Sequence, residues 1–518
     1  MNRLLPPILF LLHFTTNSES KGCIPRQFPA GVVCVCNATY CDTIEPVEGV
    51  ARDQQAVVYT TSASGARIEK TIVVPEQTAT GSVVTFDPST VYQEVKGFGG
   101  AFTDAAGINL MTLSEAAREN LMMQYYGPSG AEYTIGRVPM ASCDFSTHEY
   151  SYDDVVGDLD LVNFNLTTED FQYKIPFIKR AMELQNGTGG LKLFSSPWSA
   201  PGWMKTNNDM RGGGKLRGAE GGPYYVTWAN YFVRFFEEYA KQGITFWGMT
   251  VQNEPNTASD PYFPWQTMYF DPTSEMNFIR NLLGPAVRAN AASKDVIIMA
   301  MDDNRDNMPA WPDTIFGDEV ASSYTAGLAI HWYMDPGTPA DILTQNQLKH
   351  PDKFMLATEA CTGWTSPVNG VILGNFTRAE DYAWSIITDM NNYVTGWTDW
   401  NICLDTQGGP NWVNNYVDSP IIVNATNDEF LKEPMYYALA HFSKFLKPGS
   451  HRVGVTLPDG LPSTVLVLGV VDTEGRNVAV VLNGGDQDTT LSFTAKQDGY
   501  YVNLALEGHS ITTVIWEQ

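Results

Sequence analysis

Between about residues 96 and 401 the chain repeats one pattern: a short apolar run, a polar loop and then an amphipathic segment. In one such unit Trp228, Phe232, Phe235 and Tyr239 recur at helical spacing, and Gly243 is placed to end that helix. The apolar runs that predict buried strands lie at residues 95–102, 133–140, 192–196, 244–251, 295–301, 328–333, 353–358 and 396–400. Eight strand–helix units of roughly 35 to 40 residues predict an α/β fold, a (β/α)8 TIM barrel, rather than an open doubly wound sheet.

The two ends of the chain show a different pattern. Residues 56–74 and 463–501 contain β-type runs broken by turn sequences rich in Gly, Asn, Asp and Ser, which is typical of antiparallel hairpins. Both stretches flank the barrel, so we expect them to pair into one sandwich. The segment that precedes residue 49 is predicted to form a third, smaller unit, joined by residues after Asn401.

The first twenty residues indicate a cleaved signal peptide. Arg3 supplies a positive start, and the apolar run at residues 4–14 is too short to cross a bilayer, although a membrane anchor is the alternative. No later apolar stretch reaches about 18 residues, so no transmembrane segment is predicted. Secretion also agrees with five Asn-x-Ser/Thr sequons, predicted as glycosylation sites at Asn37, Asn165, Asn186, Asn375 and Asn424.

Four of the seven cysteines, Cys23, Cys34, Cys36 and Cys41, crowd into the mature N-terminus. In an oxidising compartment they predict two disulfides in a small loop-rich element, and the spacing alone leaves all three pairings open. Zinc is the rival interpretation, but no histidine lies nearby and paired C-x-x-C knuckles are absent.

The charge balance excludes one class of partner. With 32 basic and 58 acidic residues the formal charge is −26, so the chain has no basic stripe with which to neutralise phosphates, and no nucleic acid is expected as partner. A strong acidic excess also suits a compartment of low pH, where protonation of carboxylates lessens self-repulsion.

Candidate chemistry lies where the predicted strands end, because the C-terminal ends of the strands build the active site of such a barrel. Glu254, followed by Pro255, comes directly after the fourth run, and Glu359 comes directly after the seventh. Strands four and seven face each other across the mouth. Glycoside hydrolysis needs one carboxylic acid that protonates the leaving oxygen and one carboxylate that attacks or activates water. The alternative is that each glutamate is an exposed loop residue.

Aromatic side chains fall at the same strand ends and offer flat apolar faces to sugar rings, although a single one is more often part of a core. They are Trp198, Trp203, Trp332, Tyr333, Trp397 and Trp400. Asp144 is a further strand-end carboxylate that could accept hydrogen bonds from sugar hydroxyls. His331 either orients Glu359 and lines the site, or is a packed structural histidine.

The sequence lacks the motifs that are typical of metal-dependent, serine-hydrolase and dinucleotide-binding enzymes. None of the seven histidines forms an H-E-x-x-H motif, so no metal is predicted, and no G-x-S-x-G elbow is present for a serine hydrolase. The run Gly97-Phe98-Gly99-Gly100 lies inside the first strand and indicates barrel packing, not a dinucleotide loop, and no cofactor is predicted. An inactive, sugar-binding barrel would lack one of the two carboxylates, and both are present.

At these residues the chain resembles the lysosomal glucosylceramidases (acid β-glucosidases) of glycoside hydrolase family 30, over nearly the whole mature chain. The matching motifs are Cys-Val-Cys-Asn-Ala-Thr-Tyr-Cys at 34–41, Gly-Phe-Gly-Gly-Ala-Phe-Thr-Asp at 97–104, Arg-Val-Pro-Met-Ala-Ser-Cys-Asp-Phe-Ser at 137–146, Ser-Pro-Trp at 196–198, Gln-Asn-Glu-Pro at 252–255, His-Trp-Tyr at 331–333, Glu-Ala-Cys at 359–361, Gly-Trp-Thr-Asp-Trp-Asn at 396–401 and Gly-Gly-Pro-Asn-Trp-Val at 408–413. Two departures stand out: Phe263-Pro264-Trp265 replaces the family's Tyr-Pro-Phe, and the loop at 362–367 differs.

The resemblance implies a retaining mechanism on a β-linked glucose, with Glu254 as acid/base and Glu359 as nucleophile. It implies substrate-binding roles for Asp144, Trp198, Asn253, His331, Tyr333, Trp400 and Asn415. It also implies the pairing Cys23–Cys34 and Cys36–Cys41 and four parts: a signal peptide at 1–20, a three-stranded sheet domain at 21–48 plus 402–433, an Ig-like β-sandwich at 49–94 plus 449–518, and the barrel at 95–401 plus 434–448.

By analogy, the substrate is a membrane-presented glycolipid, glucosylceramide, which places the enzyme in sphingolipid catabolism. The setting implied is lysosomal or secreted, peripheral to the lysosomal membrane, with a saposin-type activator and anionic lipids as partners. The alternative is a related retaining β-glycosidase that acts on another β-linked sugar or on a sterol glucoside.

Overall fold

The computed structural model describes residues 21–47, 55–185, 190–365, 368–496 and 499–517. The predicted signal peptide and the sequon at Asn186 lie outside this range. In chain order the strands are β1 Pro25–Phe28, β2 Gly31–Asn37, β3 Ala56–Ser62, β4 Glu69–Val73, β5 Ser82–Glu94, β6 Gly97–Ala101, β7 Ile135–Met140, β8 Lys192–Pro197, β9 Gly248–Thr250, β10 Ile297–Asn304, β11 Thr325–His331, β12 Phe354–Glu359, β13 Val394–Asn401, β14 Leu404–Asp405, β15 Ile421–Asn424, β16 Glu429–Lys432, β17 His451–Thr456, β18 Val465–Val471, β19 Asn477–Asn483, β20 Thr489–Ala495, β21 Val502–Leu506 and β22 Ser510–Trp516.

The α-helices are α1 Asp104–Thr112, α2 Glu115–Tyr126, α3 Ile175–Leu184, α4 Pro223–Lys241, α5 Pro272–Phe278, α6 Gly284–Ala289, α7 Ala310–Gly317, α8 Glu319–Tyr324, α9 Asp341–Lys349, α10 Phe376–Asn391 and α11 Pro434–Ser443. Within the described ranges, none of them is both long and apolar enough to span a bilayer.

Strands β6 to β13 form a closed parallel barrel, with β13 pairing back onto β6, which confirms the predicted (β/α)8 fold. The glycine-rich first strand, β6, allows the barrel to close with β6 and β7 close together. A Cβ added at Gly99 would lie 1.8 Å from the carbonyl oxygen of Ile135, so only glycine lets β6 and β7 approach this closely.

The fourth strand is shorter than the apolar pattern predicts. Residues 244–251 read as one run, but β9 covers only Gly248–Thr250. The first half of the run packs on the preceding helix instead of forming strand. There the ring of Phe246 contacts Phe235, Phe236 and Tyr239 on α4. That helix buries its aromatic face, including Trp228, and each such side chain contributes about 1.5–3 kcal/mol of apolar burial.

The small N-terminal sheet has five strands in the order β1-β2-β16-β15-β14, not the three that were expected. The additional edge strands are short, and β14 has only two residues, which is too brief to produce a recognisable alternation. Disulfides join Cys23 to Cys34 and Cys36 to Cys41, the pairing that the family resemblance implies.

The other three cysteines are buried free thiols, at Cys143, Cys361 and Cys403. Among the described sequons, Asn165 is exposed and Asn37, Asn375 and Asn424 are half-buried, and all four stay predicted glycosylation sites.

The nine remaining strands form the β-sandwich in the order β21-β20-β5-β17-β18-β19-β22-β3-β4, so the two predicted β-rich ends do pair into one unit. It has its own core, in which Phe86 and Phe493 pack on Trp516. Helix α11 connects it to the barrel. His441 on that helix contacts Thr61 and Thr513 of the sandwich at 2.9 and 2.8 Å, and burial lowers its pKa to about 3, so the ring is neutral there.

Candidate active site

A cavity of about 320 Å³ opens at the C-terminal ends of the barrel strands. Eight of the predicted site residues line it, namely Asp144, Trp198, Asn253, Glu254, Tyr333, Glu359, Trp400 and Asn415. Residues that the sequence did not assign to the site complete the lining: Phe145, Thr257, Phe263, Trp265, Asn304, Met334, Cys361, Trp364 and Val417. The lining combines aromatic rings with a few polar side chains, which is typical of a binding site for a small organic ligand.

The two glutamates face each other across this cavity. Glu359 is the last residue of β12, the seventh barrel strand, and Glu254 follows β9, the fourth. A carboxylate oxygen of each lies within 4.8 Å of the other and of a ring nitrogen of His331.

Glu359 is nine-tenths buried and receives hydrogen bonds on both oxygens. The Tyr333 hydroxyl donates to Oε1 at 2.7 Å, and the guanidinium of Arg137 donates to Oε2. The two donors fix the orientation of both carboxylate oxygens.

Arg137 is fully buried and connects three side chains of the site. Besides Glu359, its Nη2 donates to Asn253 Oδ1 at 2.8 Å and to Asp302 Oδ2 at 2.9 Å. Because the guanidinium only donates, it requires the amide oxygen of Asn253 on its own side, which leaves the Asn253 NH₂ group for a ligand. The guanidinium carbon also lies 4.9 Å from the centroid of the Trp198 ring and 5.3 Å from that of Trp400.

His331 lies beneath Glu254, between two carboxylates. Its Nδ1 is 3.1 Å from Glu254 Oε1 and its Nε2 is 3.1 Å from Asp302 Oδ1. Burial alone would lower the pKa of His331, but the charge of Glu359 and the hydrogen bonds to Asp302 and Glu254 outweigh it and raise the pKa to about 10. Both ring nitrogens therefore carry a proton and donate. An imidazolium donates from both nitrogens and has no lone pair left to accept, so in this form the ring bridges the two carboxylates.

Asp302 accepts four hydrogen bonds at the base of the cavity, two of them from Thr250 at 2.6 Å and Thr358 at 2.8 Å. Burial alone would raise the pKa of Asp302, but the Arg137 charge and the His331 hydrogen bond hold it well below its usual range. A permanently ionised Asp302 thus keeps both buried cations in place.

The backbone around the acid/base candidate has a left-handed conformation that non-glycine residues rarely adopt. Glu254 has φ 42°, and Met301 and Asp302 at the end of β10 have φ 76° and 51°. The Glu254 N–H donates to the carbonyl oxygen of Asp302 at 2.9 Å, so the two irregular strand ends are tied together. Each such conformation costs on the order of 1–3 kcal/mol and is typical of functional positions.

Two tryptophans and a carboxyl group form another part of the cavity wall. The indoles of Trp198 and Trp400 stack with centroids 5.1 Å apart and an interplanar angle of 17°. Asp144 lies beside them and accepts hydrogen bonds from Asn415 at 3.0 Å and Asn411 at 3.2 Å. Burial raises the pKa of Asp144 to about 7 despite these donors, so the carboxyl is neutral in acid.

Four predicted contributors lie elsewhere. His331 is not in the cavity lining and hydrogen-bonds to Glu254, not to Glu359, although it is paired with Glu359 in the register of β11 and β12. Trp397 points away from the barrel interior and packs on Tyr382 of α10, and Trp203 is buried with its Nε1–H donating to the Asp153 carbonyl. Trp332 lines a neighbouring groove instead.

Sequence reasoning missed Arg137, Asp302 and Asn411. A signal existed for Arg137, which is a charged residue inside the otherwise apolar strand β7, where burial of a guanidinium requires carboxylate partners. Asp302 comes directly after the predicted fifth run at 295–301, so the strand-end criterion that selected Glu254 and Glu359 also applied to it. Its partners could not be predicted, because they come from four other strands and meet only in the closed barrel.

Comparison with known proteins gives a consistent result. The glycosyl hydrolase family 30 TIM-barrel domain matches residues 95–446, and the glycosyl hydrolase family 30 beta sandwich domain matches residues 449–514. The chain is similar to a glucosylceramidase homologue of Caenorhabditis elegans (48% identity, 98% of each chain). It is similar to the lysosomal acid glucosylceramidase of Mus musculus (41% identity over 503 residues, 96% of each chain). The crystal structure of SrfJ from Salmonella typhimurium has a TM-score of 0.82 at 27% identity and covers 90% of this chain and 100% of its own.

Proposed function

The chain belongs to glycosyl hydrolase family 30 and is a glycosidase, and from this premise we propose that it is a retaining β-glucosidase that releases glucose from glucosylceramide. The observation that carries the retaining mechanism is the short separation of Glu254 and Glu359, whose oxygens lie within 4.8 Å. Retaining enzymes hold their two carboxyl groups about 5–5.5 Å apart, whereas inverting enzymes need roughly 6.5–9.5 Å to admit a water molecule.

In the first step of the proposed reaction Glu254 protonates the glycosidic oxygen and Glu359 attacks the anomeric carbon. The bond to the aglycone breaks, and a glucosyl ester forms on Glu359. Glu254, now ionised, then takes a proton from water, whose oxygen attacks the same carbon and releases Glu359. His331 stabilises the charge that Glu254 acquires between the two steps, and the free NH₂ group of Asn253 donates to the sugar 2-hydroxyl.

Glucosylceramide is the proposed substrate because relatives that match over nearly the full chain carry the glucosylceramidase name, among them the 41% identical mouse enzyme. The sugar ring would lie between Trp198, Trp400 and Asp144, with the lipid leaving past the mouth. We also propose a lysosomal location after cleavage of residues 1–20, glycosylation at the sequons, and action at a membrane surface with anionic lipids and a saposin-type activator.

The test compares the wild type with Glu359→Gln, Glu254→Gln and, as a matched control, Glu115→Gln, which changes an exposed glutamate on α2. Substrates are glucosylceramide in vesicles with and without anionic lipid, the galactosyl analogue, a sterol β-glucoside and a β-1,6-glucan. We expect turnover of glucosylceramide, initial release of the β-anomer seen by NMR, and labelling of Glu359 by a β-glucose-configured epoxide.

A different result would refute each of the three assignments, namely the nucleophile, the retaining mechanism and the substrate. Labelling of another residue in Glu359→Gln would refute the nucleophile, and initial release of the α-anomer would refute retention. Preference for the galactosyl lipid, the sterol glucoside or the glucan would replace the proposed substrate with that one.

A further inference from the structure

A second cavity of about 270 Å³ lies beside the sugar cavity and shares two of its wall residues, Tyr333 and Trp364. The two rings meet edge to face, with centroids 5.2 Å apart. We call this second cavity the Trp384 groove, and the residues that define it are Trp332, Pro336, Trp364, Val368, Asp381 and Trp384. Tyr333, which also donates to Glu359, therefore forms part of a wall that the two cavities share.

The groove is mainly apolar and open to solvent. The indoles of Trp364 and Trp384 remain 42% and 39% exposed, and Val368 is 54% exposed. Large apolar side chains that gather in one open cleft mark a binding surface more often than chance exposure does. Trp384 lies on α10, a rigid barrel helix, so its ring has a fixed place in the groove.

The charged groups of the groove exclude an anionic ligand. The guanidinium of Arg378, the cation among the described residues that line it, is occupied by Asp418 and by the carbonyl oxygens of Gly370 and Val368. No described lining residue therefore offers a free positive charge to a phosphate, sulfate or fatty-acid carboxylate. Burial raises the pKa of Asp381 to about 6, so this carboxyl is neutral in acid and becomes a negative charge that repels such groups at neutral pH.

We propose that the Trp384 groove binds a hydrocarbon chain of the aglycone, with Trp364 at the point where the chain leaves the sugar cavity and Trp384 along its path. This inference rests on the proposed glycolipid function and adds a specificity site to it. The chain would cover both exposed indoles, and removal of that apolar area from water supplies the affinity. Asp381 would accept a hydrogen bond from a hydroxyl or amide at the polar end of the chain.

The test uses β-glucosides that carry linear alkyl aglycones of four, eight and twelve carbons, below their micelle concentrations, together with 4-methylumbelliferyl β-glucoside. We expect kcat/KM of the wild type to rise with chain length. Trp384→Ala should lose about tenfold on the longest chain and nothing on the methylumbelliferyl substrate, because only the long chain reaches Trp384. Trp384→Phe should recover part of the loss. Leu348→Ala is the control, since Leu348 is a 71% exposed apolar residue that lines neither cavity.

Three results would overturn the inference: an equal loss on all chain lengths, no loss on any, or a loss confined to oligosaccharide substrates, which would identify a sugar subsite. Failure of the proposed function is a separate result, namely no turnover of any β-glucoside. In that case chain binding is still measured by thermal shift with dodecyl and butyl β-glucoside. Stabilisation that grows with chain length in the wild type and not in Trp384→Ala would support the groove, and its absence would reject it.

Discussion

The hydroxyl group of Tyr333 provides the sharpest test of the double-displacement mechanism. It donates to Glu359 Oε1 at 2.7 Å and also contacts Cys361 Sγ at 3.5 Å, while the ring itself packs against Trp364. Tyr333→Phe therefore removes the hydrogen bond to Glu359 and this weaker sulfur contact, and it keeps the wall of the cavity. In the glucosyl ester the Glu359 carboxylate has lost its charge, and this bond is weak. It becomes strong again as the carboxylate departs in the second step.

The expected magnitude follows from the charge of the acceptor. A hydrogen bond to an ionised group contributes about 1.5–3 kcal/mol, which corresponds to about 10- to 150-fold in rate. We expect Tyr333→Phe to slow hydrolysis of the glucosyl ester by this factor and to slow its formation less. The intermediate then accumulates, so kcat and KM should fall together.

The assay is stopped-flow hydrolysis of 2,4-dinitrophenyl β-glucoside, whose good leaving group makes the first step fast. Tyr333→Phe should show a burst of dinitrophenolate of about one equivalent, followed by slow turnover. Tyr239→Phe is a matched control, because it also removes a buried hydroxyl that donates to a carboxylate, that of Asp170 at 2.6 Å, outside the cavity lining. An unchanged kcat, or a lower kcat without a burst and with a higher KM, would contradict the reasoning.

Three further changes have defined outcomes. Because burial raises the pKa of Asp144 to about 7, Asp144→Asn should keep a larger share of wild-type kcat/KM at pH 5 than at pH 8, and equal shares would refute a neutral carboxyl in acid. Hydrogen bonding to Glu380 raises the pKa of His509 in the folded protein. The contribution of the protonated ring to the free energy of unfolding is therefore complete below about pH 6.5, and it is lost as the pH rises through the folded-state pKa. The melting temperature of the wild type should exceed that of His509→Ala by about 1 °C at pH 5 and by less at pH 9, since the pair is largely exposed. Gly99→Ala should abolish soluble expression because its Cβ meets a backbone carbonyl oxygen, whereas Gly337→Ala, with open space around it, should express normally.

Much of the fold could be predicted because each barrel strand is buried on both faces and appears as a continuous apolar run. The apolar pattern predicted strand wrongly where an apolar residue packs on a neighbouring helix. Phe246 lies in the predicted fourth strand, but its ring packs on α4 and β9 does not include it. The pattern failed again at β14, whose two residues pair only because β15 lies beside them.

In the candidate site, too, some residues could be predicted from the sequence and others could not. Glu254 and Glu359 could be predicted because each polar residue ends a separate apolar run, and the topology of a closed barrel places strands four and seven opposite each other. The role of His331 could not be predicted, because it depends on which carboxylates its two nitrogens reach after closure. Asp302 supplies one of these carboxylates, and its hydrogen-bond partners lie on four other strands.

The buried ions beneath the sugar cavity also determine the charge of the site during the proposed reaction. Arg137 and His331 are cations and Asp302 is an anion, and Glu359 acts as an anion when it attacks, so these four charges cancel while Glu254 carries a proton. In the glucosyl ester Glu359 has lost its charge and Glu254 has become the anion, so the sum over these five groups is again zero. Water then returns the proton to Glu254 as Glu359 is released. The five groups therefore carry no net charge at either stage, and no counterion has to enter the interior during the reaction.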